Sequence, residues 1–87
     1  VECRTLAEVE EAVAAQPDLI LLDNMSIGQL GEAVRLVAGR VPLEASGGIG
    51  IEQLPEVAAT GVDYVAMGML THSAPAADLS LKLAPLP

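Results

Sequence analysis

Short apolar runs alternate with amphipathic stretches along most of the chain. Leu6, Val9 and Val13 recur at the i, i+3, i+7 spacing that places side chains on one face of a helix. Residues 19–22 are continuously apolar, which is typical of a parallel strand covered on both faces. Because this alternation continues to residue 67, the pattern predicts the order β-α-β-α-β-α-β, followed by one further short element.

The residues that begin and end these runs set the predicted boundaries. Thr5, with Glu8 three residues later, forms a capping box that begins the first helix. Ser26 is the N-cap of the second helix, which ends at Gly39. Strands are predicted at 1–2, 19–22, 41–45 and 63–67 and helices at 6–15, 27–38 and 51–60, with a loop at 71–75, a short strand or helical turn at 78–83 (alternation favours the strand) and an extended tail at 84–87.

Three acidic residues, Glu2, Asp23 and Glu44, lie 21 residues apart, each after a short apolar run. A period of about 20 residues indicates repeated β/α units. Repeated β/α units form a parallel sheet, in which the carboxyl ends of all strands lie at one face. Barrel enzymes have their active sites at that face, so we expect the three carboxylates to converge there. Carboxylate oxygens suit Mg²⁺ or ribose hydroxyls and stabilise an oxocarbenium-like carbon. The alternative is that each residue merely begins a solvated loop.

A glycine-bearing loop, Ser46-Gly47-Gly48, follows the third strand, and Gly68 follows the fourth. Glycines let a backbone approach an anion closely, and barrels commonly bind a phosphate between the loops of two successive late strands. His72 lies four residues beyond Gly68 and could donate to a phosphate or a carboxylate. The alternatives are a tight turn that needs positive φ and a surface histidine.

Composition narrows the class of protein. The 87 residues are 52% hydrophobic with one aromatic residue, and the net charge is −8 with only four basic residues, which argues against a nucleic-acid or anionic-membrane surface. No apolar run is long enough for a membrane span. The single cysteine, Cys3, fits a reducing compartment, and we expect a cytoplasmic protein. A strand-like start without an initiator methionine predicts a fragment of a longer chain.

Five segments in order carry a resemblance to a known family. They are 19–24 (LILLDN), 43–48 (LEASGG), 60–64 (TGVDY), 71–73 (THS) and 78–81 (DLSL). Together they resemble the C-terminal part of the quinolinate phosphoribosyltransferase family, the carboxylating nicotinate-nucleotide pyrophosphorylases. The resemblance covers essentially the whole chain.

The resemblance implies a type II phosphoribosyltransferase with an N-terminal α/β sandwich and an incomplete TIM-like α/β barrel. Residues 1–87 would form part of that barrel, without the sandwich and the early barrel. The family converts quinolinate and phosphoribosyl pyrophosphate, with Mg²⁺, into nicotinate mononucleotide, CO₂ and pyrophosphate in NAD biosynthesis. The implied partners are these small molecules and further copies of the chain, as a dimer or hexamer, with no nucleic acid and no membrane.

The resemblance also assigns roles to residues. It implies catalytic and metal-binding Glu2 and Asp23, and substrate- and phosphate-binding Ser46, Gly47, Gly68, His72 and, more weakly, Glu44.

Departures from the family pattern limit what this chain does alone. The basic residues that bind the quinolinate carboxylates in the family are absent, so we predict no transferase activity for the isolated chain. Ile49-Gly50 and Met67-Gly68-Met69 also differ from the usual residues beside the phosphate. Alternative readings are the molybdenum-associated paralogue, another phosphate-binding barrel, or a ligand-free, self-associating half-barrel scaffold.

Overall fold

The structure is a computed structural model and describes residues 1–69 and 77–83. Its elements follow the predicted order, and the last short element is a strand, as the alternation favoured. They are β1 (Glu2–Cys3), α1 (Leu6–Ala14), β2 (Ile20–Asp23), α2 (Ile27–Val37), β3 (Leu43–Ser46), α3 (Leu54–Ala59), β4 (Tyr64–Met69) and β5 (Ala77–Lys82). The loop predicted at 71–75 and the tail at 84–87 lie outside the described residues.

The strands form one sheet in the order β1-β2-β3-β4-β5. The first four strands are parallel, which confirms the predicted β/α repeat. The last strand pairs antiparallel with β4, from Tyr64 opposite Lys82 to Met69 opposite Ala77. The sheet is mixed and open, with β1 and β5 at its two edges.

One face of the sheet packs against the helices and forms the core. Alternate strand residues such as Ile20, Leu22 and Ala45 are fully buried there, together with Val9 of α1 and Val37 of α2. Residues between them, including Leu21 and Glu44, are only half-buried, because they point to the opposite face. We call this opposite side the helix-free face, since none of the described helices covers it. The prediction that residues 19–22 are covered on both faces is therefore wrong for the described chain.

Capping boxes begin the first two helices, the first as predicted and the second at the predicted N-cap, Ser26. The Thr5 side chain accepts a hydrogen bond from the Glu8 backbone, and the Glu8 carboxylate accepts from the backbone N–H of Thr5 at 3.1 Å and of Arg4 at 2.9 Å. Ser26 and Gln29 form the equivalent pair at the start of α2. Each box satisfies N–H groups that a first helical turn otherwise leaves unpaired.

The third helix is shorter than the predicted 51–60. Residues Ile51–Gln53 form a 3₁₀ turn, and the α-helix begins only at Leu54, with Pro55 in its first turn. Proline has no N–H to donate, so it is tolerated at the start of an α-helix and not in its interior. In the part of the chain that the structure describes, no helix is long and apolar enough to cross a membrane.

Candidate functional site

The register of the sheet shows how far each candidate residue lies from the carboxyl ends of the strands, and we call residues paired across the strands residues at one level. Glu2 lies opposite Leu21, and Leu21 lies opposite Glu44. Asp23 lies opposite Ser46, two residues closer to the carboxyl ends of the strands. The equal spacing of the three acidic residues therefore does not put them at one level, because the number of residues between paired positions differs from strand to strand. We call the carboxyl ends of β1, β2 and β3, with the residues that directly follow them, the rim.

Asp23 is the centre of the rim. Its Oδ1 accepts a hydrogen bond from Ser46 Oγ at 3.4 Å, and its Oδ2 accepts from Arg4 Nε at 3.2 Å. The Asp23 side chain is 24% exposed, whereas those of Arg4 and Glu2 are 71% and 53% exposed. The structure thus brings Asp23 and Ser46 together, as the sequence predicted.

Arg4 is the rim residue that sequence reasoning missed. A terminal nitrogen of its guanidinium lies 3.7 Å from Glu2 Oε1, so that one cation contacts both Glu2 and Asp23. The signal was present in the spacing: Arg4 follows Glu2 by two residues, and alternate residues of an extended segment face the same way. The Arg4 guanidinium thus links the Glu2 carboxylate to the Asp23 carboxylate.

Glu44 is not at the carboxyl end of its strand, where we expected the three carboxylates to converge. The third strand continues to Ser46, and Glu44 lies two residues earlier, on the helix-free face. Its Oε1 accepts a hydrogen bond of 2.6 Å from Ser80 Oγ of β5. Glu44 also lines a shallow depression toward the amino ends of the strands, with Tyr64, Ser80 and residues before β2 and β3. Glu44 thus lies at the level of Glu2. Its carboxylate bonds toward β5, whereas Glu2 shares Arg4 with Asp23.

The glycine loop meets the loop after β2. Gly47 has φ of +101°, and a Cβ on it would lie 2.6 Å from the backbone nitrogen of Asn24. That nitrogen donates to the Ser46 carbonyl at 3.0 Å, and Asn24 is itself left-handed, with φ of 57°. Gly48 also has positive φ, yet a Cβ there meets nothing within 4 Å. The tight-turn interpretation thus accounts for Gly47, whose missing side chain lets the two loops touch.

The remaining phosphate candidates lie further along the chain. Gly68 is inside β4, opposite Asp78 of β5, because β4 continues to Met69 and not only to residue 67. After the glycine loop, the Gly50 N–H already donates to Gln53 Oε1 at 2.8 Å, so it is not free for a ligand in this arrangement. His72 lies outside the described residues.

Two groups beside the rim have displaced pKa values. Burial, with the nearby Glu8 carboxylate as the second cause, raises the pKa of the Cys3 thiol, which is 1% exposed and packs in the core. This agrees with a structural thiol. The pKa of Glu8 is lowered, chiefly by the backbone N–H of Arg4. The backbone N–H and the hydroxyl of Thr5 also lower this pKa, because hydrogen-bond donors favour the charged carboxylate.

Glu2 and Asp23 are the rim groups that could hold a metal ion. Mg²⁺ is commonly held by one or two carboxylates together with substrate phosphates and water, so this donor pair fits it. Within residues 1–69 and 77–83, no three His, Cys, Asp or Glu side chains are grouped as a metal site. Glu2 and Asp23 would supply two of the oxygen ligands of Mg²⁺, with water or substrate oxygens completing the set, and Arg4 already contacts both carboxylates.

Parallel β/α units with polar side chains at the strand ends define a partial α/β barrel that is not closed in this chain. A family model described as quinolinate phosphoribosyl transferase, C-terminal domain, matches residues 1–82. The chain therefore belongs to the quinolinate phosphoribosyltransferase family, as its motifs indicated. The family match and the sheet together confirm the predicted fold class, part of a TIM-like barrel.

Relatives and solved structures agree with this assignment. The chain is 43% identical over 86 residues to human nicotinate-nucleotide pyrophosphorylase (carboxylating) and 40% identical over 81 residues to the probable enzyme of that name from Bacillus subtilis. These alignments cover 95% and 93% of the chain but only 29% and 28% of the relatives. The crystal structure of the pyrophosphorylase from Ehrlichia chaffeensis matches with a TM-score of 0.76 at 39% identity, over 91% of this chain and 30% of that one. The chain thus spans less than a third of the length of these relatives.

Proposed function

We propose that this chain is the part of a quinolinate phosphoribosyltransferase that binds the ribose and 5′-phosphate of phosphoribosyl pyrophosphate. The complete enzyme would form nicotinate mononucleotide, CO₂ and pyrophosphate from that substrate and quinolinate, in NAD biosynthesis. The observation that carries the proposal is the pairing of Asp23 with Ser46 at the rim of a family-matched sheet. It joins a carboxylate suited to a sugar with a hydroxyl suited to a phosphate.

Asp23 and Glu2 act on the ribose in this proposal. Breaking the bond between C1 and the pyrophosphate oxygen leaves positive charge on the sugar, and a fixed carboxylate nearby lowers the energy of that state. The pyridine nitrogen of quinolinate then bonds to C1, and the adjacent carboxylate leaves as CO₂, with its bonding electrons remaining on the ring for a proton. Glu2 and Asp23 would hold Mg²⁺, which would supply charge neutralisation for the pyrophosphate.

Ser46 and the glycines after it serve the 5′-phosphate. The Ser46 hydroxyl is half-buried at the end of β3 and can donate to a phosphate oxygen in place of Asp23. Gly47 and Gly68 are the glycines proposed to let the phosphate approach the backbone closely, and His72 is proposed as a further donor. Glu44 is a weaker candidate, because it lies two residues behind Ser46 and is bonded to Ser80.

The quinolinate site requires residues outside this chain. A dicarboxylate needs at least two positive groups, preferably arginines that bind it through two hydrogen bonds. Among the described residues, Arg40 donates to the carbonyls of Val37 and Leu36, Arg35 is exposed on α2, and Lys82 lies opposite the first residue of β4. Arg4 is therefore the one basic residue of the described chain at the rim, fewer than a dicarboxylate needs. We therefore infer that the chain alone has no transferase activity. We further propose, from the family resemblance, that the working enzyme is a homo-oligomer of a longer cytoplasmic protein.

A chimera tests the proposed function. Residues 1–87 would replace the aligned segment of the Bacillus subtilis relative, and formation of nicotinate mononucleotide would be followed in the purified protein. We expect activity that depends on quinolinate, and we expect Asp23→Asn to lower kcat by about 100-fold or more. The matched control is Arg35→Ala, because Arg35 is an exposed charge on α2, away from the rim. A folded chimera without activity, or equal losses in the two variants, would contradict the proposal.

A further inference from the structure

Arg4 lies where a bound metal ion would be expected. We propose that the Arg4 guanidinium is an internal counter-ion that occupies the Glu2–Asp23 carboxylate pair until Mg²⁺ displaces it. The inference rests on the proposed function, since it concerns the same carboxylates. It adds a positioning residue that the family match does not assign.

The contacts divide the Asp23 carboxylate between two partners. Oδ2 accepts from Arg4 Nε at 3.2 Å, while Oδ1 accepts from Ser46 Oγ at 3.4 Å. Ser46 Oγ also lies 3.5 Å from the Leu22 carbonyl oxygen, so its single hydrogen is shared between two acceptors, and Arg4 makes the shorter contact with the Asp23 carboxylate. Glu2 is drawn to the same guanidinium, at 3.7 Å. Arg4 therefore orients the pair while its charge offsets their repulsion, in a chain whose net charge is −8.

The backbone of Arg4 is anchored although its side chain is not. Its N–H donates to Glu8 Oε1 at 2.9 Å, within the capping box that begins α1. The side chain is 71% exposed, so it can leave the carboxylates without disturbing the core. The start of the helix thus fixes where the arginine emerges and leaves its far end free to move.

The contacts of Arg4 with Glu2 and Asp23 are weak, which favours displacement of Arg4 by Mg²⁺ over permanent pairing. Exposed ion pairs contribute little, because water screens the charges and the long side chain loses freedom. Mg²⁺ carries twice the charge of a guanidinium and binds carboxylate oxygens at close range. We therefore expect Arg4 to weaken the apparent Mg²⁺ affinity of the pair without preventing binding.

Calorimetric Mg²⁺ titration of the chain and its variants tests this competition. We expect Arg4→Ala to bind Mg²⁺ about two- to five-fold more tightly than the unaltered chain, as an exposed pair allows. Arg35→Ala removes an equal charge from the exposed face of α2 and should change the affinity much less. In an Asp23→Asn background the gain from Arg4→Ala should disappear, since the shared carboxylate is gone.

A second measurement addresses the orientation of Asp23 without any metal. The Hα–Hβ coupling constants of Asp23 should indicate one χ1 rotamer in the unaltered chain and in Arg35→Ala, and averaging in Arg4→Ala. Equal Mg²⁺ affinities for Arg4→Ala and Arg35→Ala, weaker binding by Arg4→Ala, or unchanged coupling constants would each overturn the role of Arg4. No measurable Mg²⁺ binding by the unaltered chain, or binding that Asp23→Asn leaves unaffected, would instead contradict the metal assignment of the proposed function.

Discussion

Gly47 lies where the loop after β3 meets the loop after β2, and it has no side chain to keep them apart. A Cβ there would approach the Asn24 backbone to 2.6 Å, far inside van der Waals contact. The backbone at Gly47 also has positive φ, which other residues adopt only with strain. The contact involves the backbone of Asn24, the residue that directly follows Asp23 in the chain, so a change at Gly47 would reach the rim through Asn24.

We expect Gly47→Ala to lower the free energy of unfolding by about 2–4 kcal/mol, from left-handed strain and the backbone clash together. The control is Gly48→Ala, which has positive φ but open space around its Cβ, and should cost only about 1 kcal/mol. Urea unfolding of the chain and both variants gives the comparison. Similar losses for the two variants would show that the contact with Asn24 contributes nothing.

At the scale of elements, the start of α1 links the rim to stability. The Glu8 carboxylate accepts from the Arg4 and Thr5 backbone N–H groups, and this lowers its pKa in the folded chain. A carboxyl with a lowered folded pKa adds stability above its unfolded pKa, and this stability is lost as pH falls through the folded value. The cap therefore weakens in acid.

We expect the difference in unfolding free energy between the unaltered chain and Glu8→Gln to shrink as pH is lowered from about 6 to about 3. Glutamine keeps an oxygen that can accept at the cap but cannot titrate, so the variant isolates the effect of charge. Glu11→Gln removes an equal charge from an exposed position of α1 and serves as the control. Chemical unfolding at several pH values measures the effect, and a difference independent of pH would contradict this reading of the capping box.

The starts of the first two helices were predictable from the sequence, because helix capping depends on residues that are close together in the chain. Thr5 with Glu8 and Ser26 mark helix starts through bonds that span three residues, and both caps form as predicted. The levels of Glu2 and Glu44 were not predictable in this way, since register depends on how neighbouring strands pair. The sequence indicated that these residues lie near the ends of strands, but only the register gave the position of each one along the sheet.

The contacts of the rim needed the whole molecule. Asp23 and Ser46 were expected at the same face of the sheet, because the carboxyl ends of parallel strands lie at one face. The Gly47 contact with Asn24 and the bond from Ser80 to Glu44 join segments that are distant in sequence. Neither is visible in a single sequence, since each depends on the exact approach of two elements.

The whole molecule leaves two sheet edges and the helix-free face uncovered within the described chain. Strands β1 and β5 each pair on one side only, and Leu21, Tyr64 and Ala66 of the helix-free face are half-buried. Unpaired strand edges and apolar surface both favour association with other chains. We therefore expect the isolated 87-residue chain to self-associate.

Sedimentation equilibrium over a range of concentrations measures this association. Leu21→Lys places a charge at the middle of the helix-free face and should shift the equilibrium toward monomer, because burying an unpaired lysine in an interface is unfavourable. Ala7→Lys adds an equal charge at an exposed position of α1 and should have a smaller effect. A monomer at every concentration that unfolds in one cooperative transition would contradict the expectation, since the half-barrel would then be stable with its edges open.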